Sequence, residues 1–278
     1  MTATASSTSS AAPAYRRFDT VEPLLVEHAW VARTTAPALE VLLPDGRGLL
    51  QLEVATPAML VDIAPDGVHR PDEDGIRGPA ARTNVREERG PSVRAGVQLH
   101  PLALARLQVG GVVDSTLPLS SVVGPEDAAR ARAALLAGDD ESAVHLLVAA
   151  LVARAHPIDE DLEAFGEVIA TLDAQRGLLP PPEIARAAEV TVSTLHRWSV
   201  RHLGVDLAQY LAAVRFSAFV REAVGPGPVR PSDVVAALRW YAQAGYPPRE
   251  VERFTGCTPV ELRRLEERLA AFVGAPPA

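Results

Sequence analysis

Residues 184–216 read IARAAEVTVSTLHRWSVRHLGVDLAQYLAAVRF, and this stretch decides how the C-terminal part of the chain is predicted to fold. Thr191 precedes an amphipathic segment, Val192–Leu203, that ends at Gly204, and threonine and glycine are residues that helix starts and helix ends prefer. A shorter helix is predicted just before it, at 183–189, with a tight turn between the two. Two helices joined by so short a turn indicate a helix-turn-helix.

The second helix of this pair has an apolar side and a polar side. Leu195 and Trp198 recur at helical spacing and are expected to face a core. The opposite side carries Ser193, Thr194, His196, Arg197 and Arg201. Arginine can donate two hydrogen bonds to guanine, and serine, threonine and histidine can contact bases or phosphates, so Val192–His202 is a candidate recognition helix. The pattern taken alone also fits a plain helical bundle with a solvated arginine face.

A second pair of helices is predicted at 233–265, DVVAALRWYAQAGYPPREVERFTGCTPVELRRL. Ser232 is the expected cap of its first helix. The run Thr258-Pro259-Val260-Glu261 supplies an N-cap, a proline at the first helical position and the glutamate of a capping box. Proline lacks an N–H and clashes with the preceding turn, so Pro247-Pro248 can only begin a helix. The second recognition helix is therefore predicted to be short and to start at about Pro247.

Together the two pairs resemble the DNA-binding domain of AraC-family transcription regulators. Residues 184–216 match its first half, with "gvS..tL.R" followed by "..G.....Yl...R", and 233–265 match its second half, with the ending "tG.TP.e.R". Both halves stand in the family's order and spacing. The resemblance implies a protein that binds double-stranded DNA at a promoter or operator.

The resemblance also implies roles for individual side chains. Ser193, His196 and Arg197 take the family's base-reading positions, and Arg201 a position near the DNA backbone. In the second unit the implied contacts come from Gln243, Tyr246, Arg249 and Arg253, of which the two arginines are available for phosphate.

Two departures from the family pattern bear on this reading. Ser199 stands where the family usually has phenylalanine in the core, and Trp198 is expected to compensate for the lost volume. The family's polar turn in the second unit reads Gln243-Ala244-Gly245-Tyr246 here. We therefore expect the first unit to make most of the base-specific contacts with DNA. The second is expected to clamp the DNA backbone, or to have lost DNA contact.

The N-terminal part has the pattern of a β-rich domain. Turn signals such as Pro44-Asp45-Gly46 and Pro65-Asp66-Gly67 separate short apolar runs, which is typical of sandwiches and barrels. The predicted strands are Leu39–Leu43, Leu49–Val54, Ala58–Ile63 and Val93–Leu99. The charged stretch Ala64–Gly90 is expected to be a long loop with room for one strand. Residues 42–54 and 93–107 resemble domains that precede AraC-type DNA-binding domains, which implies an effector-sensing or dimerising role.

From Pro125 the pattern becomes helical, with predicted helices at Glu126–Ala137, at Glu141–Ala155, and from a cap at Asp159 through Gln175. The predicted fold class is α+β: a β-rich N-terminal domain, a helical connector and an all-α C-terminal domain with two helix-turn-helix units. The corresponding ranges are a disordered tail at 1–14, a sensing domain at 15–125, a connector at 126–179 and a DNA-binding domain at 180–273.

The 278 residues carry a net charge of −8, which by itself argues against a nucleic-acid partner. Residues 1–175 hold 14 Arg and 25 Asp or Glu, a balance of −11, and residues 176–278 hold 13 Arg and 10 Asp or Glu, a balance of +3. The two balances sum to −8. Opposite signs in the two parts indicate different partners, with DNA expected only for the second. No apolar run approaches the ~18 residues that a membrane span needs, so no membrane is expected and the predicted location is the cytoplasm.

Other kinds of site find little support in the sequence. The histidines form no closely spaced pair beside a carboxylate, and Cys257 is the only cysteine, so no metal is predicted. Nucleophile-elbow, P-loop and dinucleotide motifs are missing, so we expect no cofactor and no enzyme activity.

Three classes of function remain, in decreasing order of support. The first is a sequence-specific regulator whose partners are DNA, RNA polymerase, a small-molecule effector and a second copy in a homodimer. The second is a degenerate regulator that works through protein contacts. The third is a small-molecule enzyme in the β-rich domain, for which no catalytic set is visible.

Overall fold

The computed structural model of the chain describes residues 14–63, 67–110, 112–225 and 227–276. The predicted tail up to residue 13, most of the predicted turn Pro65-Asp66-Gly67, and Pro226 lie outside the described residues. The strands are β1 (Ala14–Phe18), β2 (Val26–Thr34), β3 (Ala38–Leu42), β4 (Leu49–Ala55), β5 (Met59–Asp62), β6 (His69–Pro71), β7 (Gly75–Arg77), β8 (Asn84–Glu88), β9 (Ser92–Leu99) and β10 (Thr116–Pro118).

These strands form two antiparallel sheets in the N-terminal region. One has six strands in the order β1-β2-β9-β4-β7-β10, and the other has four in the order β3-β8-β5-β6. The four predicted strands are all present within one or two residues at each end. The α+β class predicted from the sequence is confirmed.

The prediction for residues 64–90 was wrong, because this stretch contains the three strands β6, β7 and β8 rather than one. The reason lies in its charges. Arg86 of β8 is fully buried, and its guanidinium lies 2.6 Å from carboxylate oxygens of both Asp72 and Glu53 and also contacts Glu88. Charges that pair with one another inside a protein need no water, so a charged sequence can form interior strands.

Ten helices follow β9 within the described residues: α1 (Ala103–Arg106), α2 (Pro125–Ala137), α3 (Asp140–Arg154), α4 (Glu160–Ala174), α5 (Pro181–Ala187), α6 (Val192–Trp198), α7 (Leu207–Val224), α8 (Pro231–Gln243), α9 (Pro248–Thr255) and α10 (Pro259–Phe272). A π-helical turn at Ser199–Leu203 continues α6. From Pro125 onward the described elements are all helices, as the sequence predicted.

Three buried clusters connect these elements. The first joins the six-stranded sheet to α2 and α3. The second joins β3, β5 and β8 to helices α7–α10, and the third joins α4 to α5, α6 and α7. The predicted connector at 126–179 therefore divides between two cores, since α2 and α3 pack on a sheet while α4 packs on the first helix-turn-helix.

Most predicted helix starts are confirmed by their capping hydrogen bonds. Thr191, Asp159 and Thr258 each accept a bond from a backbone N–H three residues further on. Ser232 is not a cap, because α8 already begins at Pro231 and the Asp233 carboxylate accepts the Arg230 N–H at 3.1 Å. Proline takes the first helical position, so the helix starts two residues earlier than predicted.

No single helix in the described ranges is long and apolar enough to cross a membrane. By length and composition alone, the bent pair Val192–Leu203 and Leu207–Val224, which meet at 69°, passes that test together. The buried residues of this pair lie in the helical cores described above.

Candidate nucleic-acid interface

The first helix-turn-helix consists of α5 and α6, and its inner side is packed. Leu195 and Trp198 are buried, as the helical spacing predicted, and the Trp198 ring lies 5.6 Å from that of Phe165 in α4. Ser199, at the position where a large aromatic was expected, is fully buried and donates its hydroxyl to the Val205 carbonyl at 2.8 Å. The core side of α6 is thereby fixed against α4 and the start of α7.

The outer side of α6 faces solvent and carries four of the predicted side chains together: Ser193, His196, Arg197 and Arg201. No Asp or Glu lies between residues 192 and 203. Thr194 differs from these four, because it is half-buried and its hydroxyl lies 3.0 Å from that of the cap Thr191. Thr194 therefore serves the helix start in this structure, whereas the other four are exposed to solvent.

The π-helical turn after α6 changes the surroundings of its last residues. A π turn has a wider repeat than an α-helix and so rotates the side chains that follow it. Here Arg201 lies 3.8 Å from Asp161 of α4, with both side chains more than half exposed. His202 is buried, and burial, together with the charge of Arg201, lowers its pKa below the ordinary value. The last turn therefore places a neutral histidine in the protein interior and a weakly paired arginine at the surface.

The second recognition helix, α9, is short, as the proline pair predicted. It begins at Pro248, and only Val251 and Thr255 are buried along its eight residues. Arg249 and Arg253 point away from that core, flanked by Glu250 and Glu252. Arg253 lies 3.9 Å from the Glu250 carboxylate. The outer side of α9 thus carries two positive and two negative side chains.

Gln243 and Tyr246 lie beside α9 rather than on it. Gln243 is the exposed last residue of α8, and Tyr246 lies in the following turn, stacked on Tyr241 with ring centres 5.0 Å apart. Tyr246 remains 44% exposed, so one face of its ring packs while its edge reaches solvent. The structure brings these two side chains to the N-terminal end of α9.

Two further side chains of the helical part, Arg215 and Cys257, are structural in their contacts. The Arg215 side chain of α7 is half-buried and donates from Nε to the Leu211 carbonyl at 3.2 Å, and burial lowers its pKa. Burial also raises the pKa of Cys257 to about 11, which leaves the thiol protonated and poorly nucleophilic. Neither residue presents a reactive group at the outer surface of α9.

Two exposed apolar side chains of the first helix-turn-helix were not predicted from the sequence. Val192 and Val200 are 47% and 50% exposed, beside the polar residues of the outer side of α6. The reading assigned that side from polar residues alone. The helical repeat carries the missing signal for Val200, which is not spaced three or four residues from Leu195 or Trp198, but not for Val192, which lies three residues before Leu195.

A separate feature is a cavity of about 710 Å³ between the two sheets and α7. Its lining includes Glu27, His28, Trp30, Asp45, Arg47 and Arg221. Burial, together with Arg17 and Arg47, lowers the pKa of His28 to about 4. Among the residues that the structure describes, no three His, Cys, Asp or Glu side chains converge to hold a metal ion.

Comparison with known proteins places the chain beside solved regulators only at low similarity. No family profile and no curated protein matches it. ToxT from Vibrio cholerae shares 10% identity at a TM-score of 0.41, over 85% of this chain and 97% of that one. The AraC-like transcriptional activator CuxR shares 12% identity at a TM-score of 0.29, over 69% and 78% of the two chains. These solved structural neighbours are AraC-family transcriptional regulators.

Proposed function

We propose that the chain is a sequence-specific DNA-binding transcription regulator of the AraC type, in which the first helix-turn-helix does most of the reading. One observation carries this proposal. Ser193, His196 and Arg197 stand together on the exposed side of a capped and rigidly packed helix that has no acidic residue. A helix of this kind fits the major groove, where base edges present their hydrogen-bonding groups.

In the proposed complex, Arg197 supplies the strongest base contact. It makes no ion pair with any described residue, so its planar guanidinium is free to bond two acceptors of one guanine. Ser193 and His196 contact neighbouring bases, and Arg201 exchanges its exposed pairing with Asp161 for a phosphate. Contacts of the last kind release counterions, so affinity falls as salt rises.

The second unit contributes less in this proposal. Arg249 and Arg253 reach phosphates from α9, but Glu250 and Glu252 oppose the approach of an anionic backbone. Gln243 and Tyr246 flank the same end. The unit therefore acts mainly as a clamp on the DNA backbone.

We also propose that a small-molecule effector occupies the cavity between the sheets. Its volume of about 710 Å³ falls within the range of ligand sites, and α7 contributes Arg221 to its wall. RNA polymerase and a second copy of the chain are further proposed partners, as the resemblance of the sequence implies.

The test is fluorescence anisotropy with the DNA upstream of the chain's own coding sequence, against scrambled DNA, across a salt series. We expect tighter binding to the upstream DNA and a loss of that preference in Arg197→Ala. Arg89→Ala, which removes an exposed arginine at the end of β8, is the matched control and should bind as the unmodified chain does. Equal affinity for both DNAs would contradict the proposal and favour a regulator that works through protein contacts.

A further inference from the structure

The loop between β3 and β4 joins the sheets to the first helix-turn-helix through one arginine. Arg47 donates from Nε to the two carboxylate oxygens of Glu27 in β2, at 2.9 and 2.7 Å. Its Nη2 donates to Asp173 at the end of α4, at 2.6 Å. A single guanidinium thus bridges the six-stranded sheet and the helix on which α5 and α6 pack.

The bridge continues into α7 through a shared carboxylate. The Tyr210 hydroxyl donates to the other oxygen of Asp173 at 3.2 Å, and Tyr210 is 1% exposed. The loop follows the shape of the tyrosine ring: a Cβ placed on Gly46 would lie 2.5 Å from Tyr210 Cε2, and Gly46 has a φ of +76°. Glycine is therefore required at the point where the loop meets α7.

The electrostatics of this group favour the paired form. Burial alone would lower the pKa of Arg47, but Glu27 and Asp173 raise it, so the guanidinium stays charged. Burial and the Asp173 charge raise the pKa of Tyr210 well above its ordinary value, so the hydroxyl keeps its proton and remains a donor. Hydrogen bonds between charged partners that are partly shielded from water are stronger than neutral ones.

The second helix-turn-helix is attached to the sheets in a different way. The Val41 N–H of β3 donates to the Val229 carbonyl, at 2.5 Å, just before α8. Around this bond Val61 and Val85 of the four-stranded sheet share a buried cluster with Phe216 and with residues of α8 and α10. This attachment is mainly apolar.

We infer that Arg47 is a positioning residue that latches the first helix-turn-helix to the sheets, independently of the second. The inference rests on the proposed function for its consequence in DNA binding. The outer side of α6 is exposed in the latched arrangement, so the latched state leaves it accessible to DNA. Arg47, Glu27 and Asp45 also line the cavity, so a molecule that takes a hydrogen bond from Arg47 acts on the first unit through Asp173.

Amide hydrogen exchange of the full chain tests the latch without DNA. In Arg47→Gln we expect roughly tenfold faster exchange in the last turn of α4 and in α5–α7, with α8–α10 unchanged, because a charge-assisted bond is lost locally. Arg47→Lys should recover part of the protection, and Tyr210→Phe should give a smaller effect than Arg47→Gln. Equal acceleration in both units, or no acceleration in α4 and α7, would overturn the inference.

Arg33→Gln is the matched control, because Arg33 makes a paired contact with Asp140 of α3, at 2.7 and 2.5 Å, away from either unit. It should accelerate exchange in β2 and α3 but leave α4 and α7 protected. Anisotropy then separates the latch from the proposed function. Weaker specific binding by Arg47→Gln than by Arg33→Gln supports both ideas. If Arg47→Gln accelerates exchange locally but the unmodified chain binds no DNA specifically, the latch is supported and the DNA-binding proposal is contradicted.

Discussion

The two helix-turn-helix units share one frame and differ in the surface that it presents. In each, the second helix keeps a buried pair on its inner side: Leu195 and Trp198 in α6, Val251 and Thr255 in α9. The outer side of α6 and of the turn after it carries Arg197 and Arg201 with no acidic residue between 192 and 203, whereas each arginine of α9 is next to a glutamate. The frame is thus set by inner residues, and the proposed capacity to bind DNA by outer charges.

The difference indicates that a helix-turn-helix can keep its fold while the outer side of its second helix becomes less suited to binding DNA. Inner residues are constrained by packing, since a lost methyl group leaves a cavity. Outer residues are constrained only by a ligand. Substitutions at matched positions in the two units test this view.

The first prediction concerns the inner sides. Leu195→Ala should lower the free energy of unfolding of the first unit by about 3 kcal/mol, because a fully buried leucine is truncated. Val251→Ala should cost the second unit about 1–2 kcal/mol, since fewer atoms are lost from a side chain that is 9% rather than 0% exposed. Hydrogen exchange in α6 and in α9 across a urea series measures the two. A larger loss for Val251→Ala would contradict the stronger packing of the first unit.

The second prediction concerns the outer arginines. Arg197→Ala should weaken specific binding by about 10- to 100-fold, because a bidentate base contact is lost. Arg253→Ala should weaken it only about threefold and equally for all sequences, as expected of a phosphate contact. Anisotropy with specific and scrambled DNA distinguishes these patterns. Equal losses of sequence preference would show that both units read bases.

The third prediction is that one substitution strengthens the DNA binding proposed for the second unit. Glu250→Gln should raise affinity for any DNA by about twofold to fivefold, because it removes a like charge from the approach to phosphate and frees Arg253. Glu267→Gln on α10, which likewise removes an exposed acid paired with an arginine, is the control. If both changes have the same effect, net charge alone explains the gain and the position of Glu250 does not matter.

The fourth prediction concerns the caps. Thr191→Ala and Thr258→Ala should each cost about 1 kcal/mol, because each removes a hydrogen bond to a helix N-terminus. Thermal unfolding measures the loss, and serine at either position should restore it. Similar losses of stability would show that the helix caps of the two units contribute equally to their folds.

The fifth prediction uses pH, since the second unit contains no histidine. The folded state disfavours protonated His202, whose pKa is lowered, while the unfolded chain takes up that proton near pH 6.5. The contribution of His202 to stability is therefore complete above pH 6.5 and declines as pH falls below it. Exchange of the first unit, corrected for its intrinsic rate, should accelerate in that range, and His202→Gln should flatten the response. The exposed His145→Gln should not.

The helical part could be predicted from the sequence because its signals are local. Thr191, Asp206 and Thr258 each mark a helix start through a bond to a residue three positions away. The π-helical turn at Ser199–Leu203 has no such signal, since the Ser199 hydroxyl is satisfied only once the chain has turned back to Val205.

Part of the sheets and the latch depend on distant partners, and there the prediction failed, as for residues 64–90, or was silent, as for β1, β2 and Arg47. Strand β2 contains Glu27 and Arg33, which look exposed in the sequence, yet Arg33 pairs with a residue 107 positions away. Arg47 likewise lies 126 positions from Asp173. Polar residues that become buried through such contacts resemble loop residues until the fold is known.

Arg86 has a consequence for how the sheets assemble. Side chains alternate between the two faces of a strand, so a slip of β8 by one residue would turn Arg86 out of the interior. The carboxylate of Glu53 would then lie buried without a cation and Asp72 would keep only Arg77, which costs far more than a misplaced apolar side chain. The arginine therefore helps to fix the register of β8. A shifted alignment leaves buried charge unpaired, so the native strand pairing is favoured over its neighbouring registers.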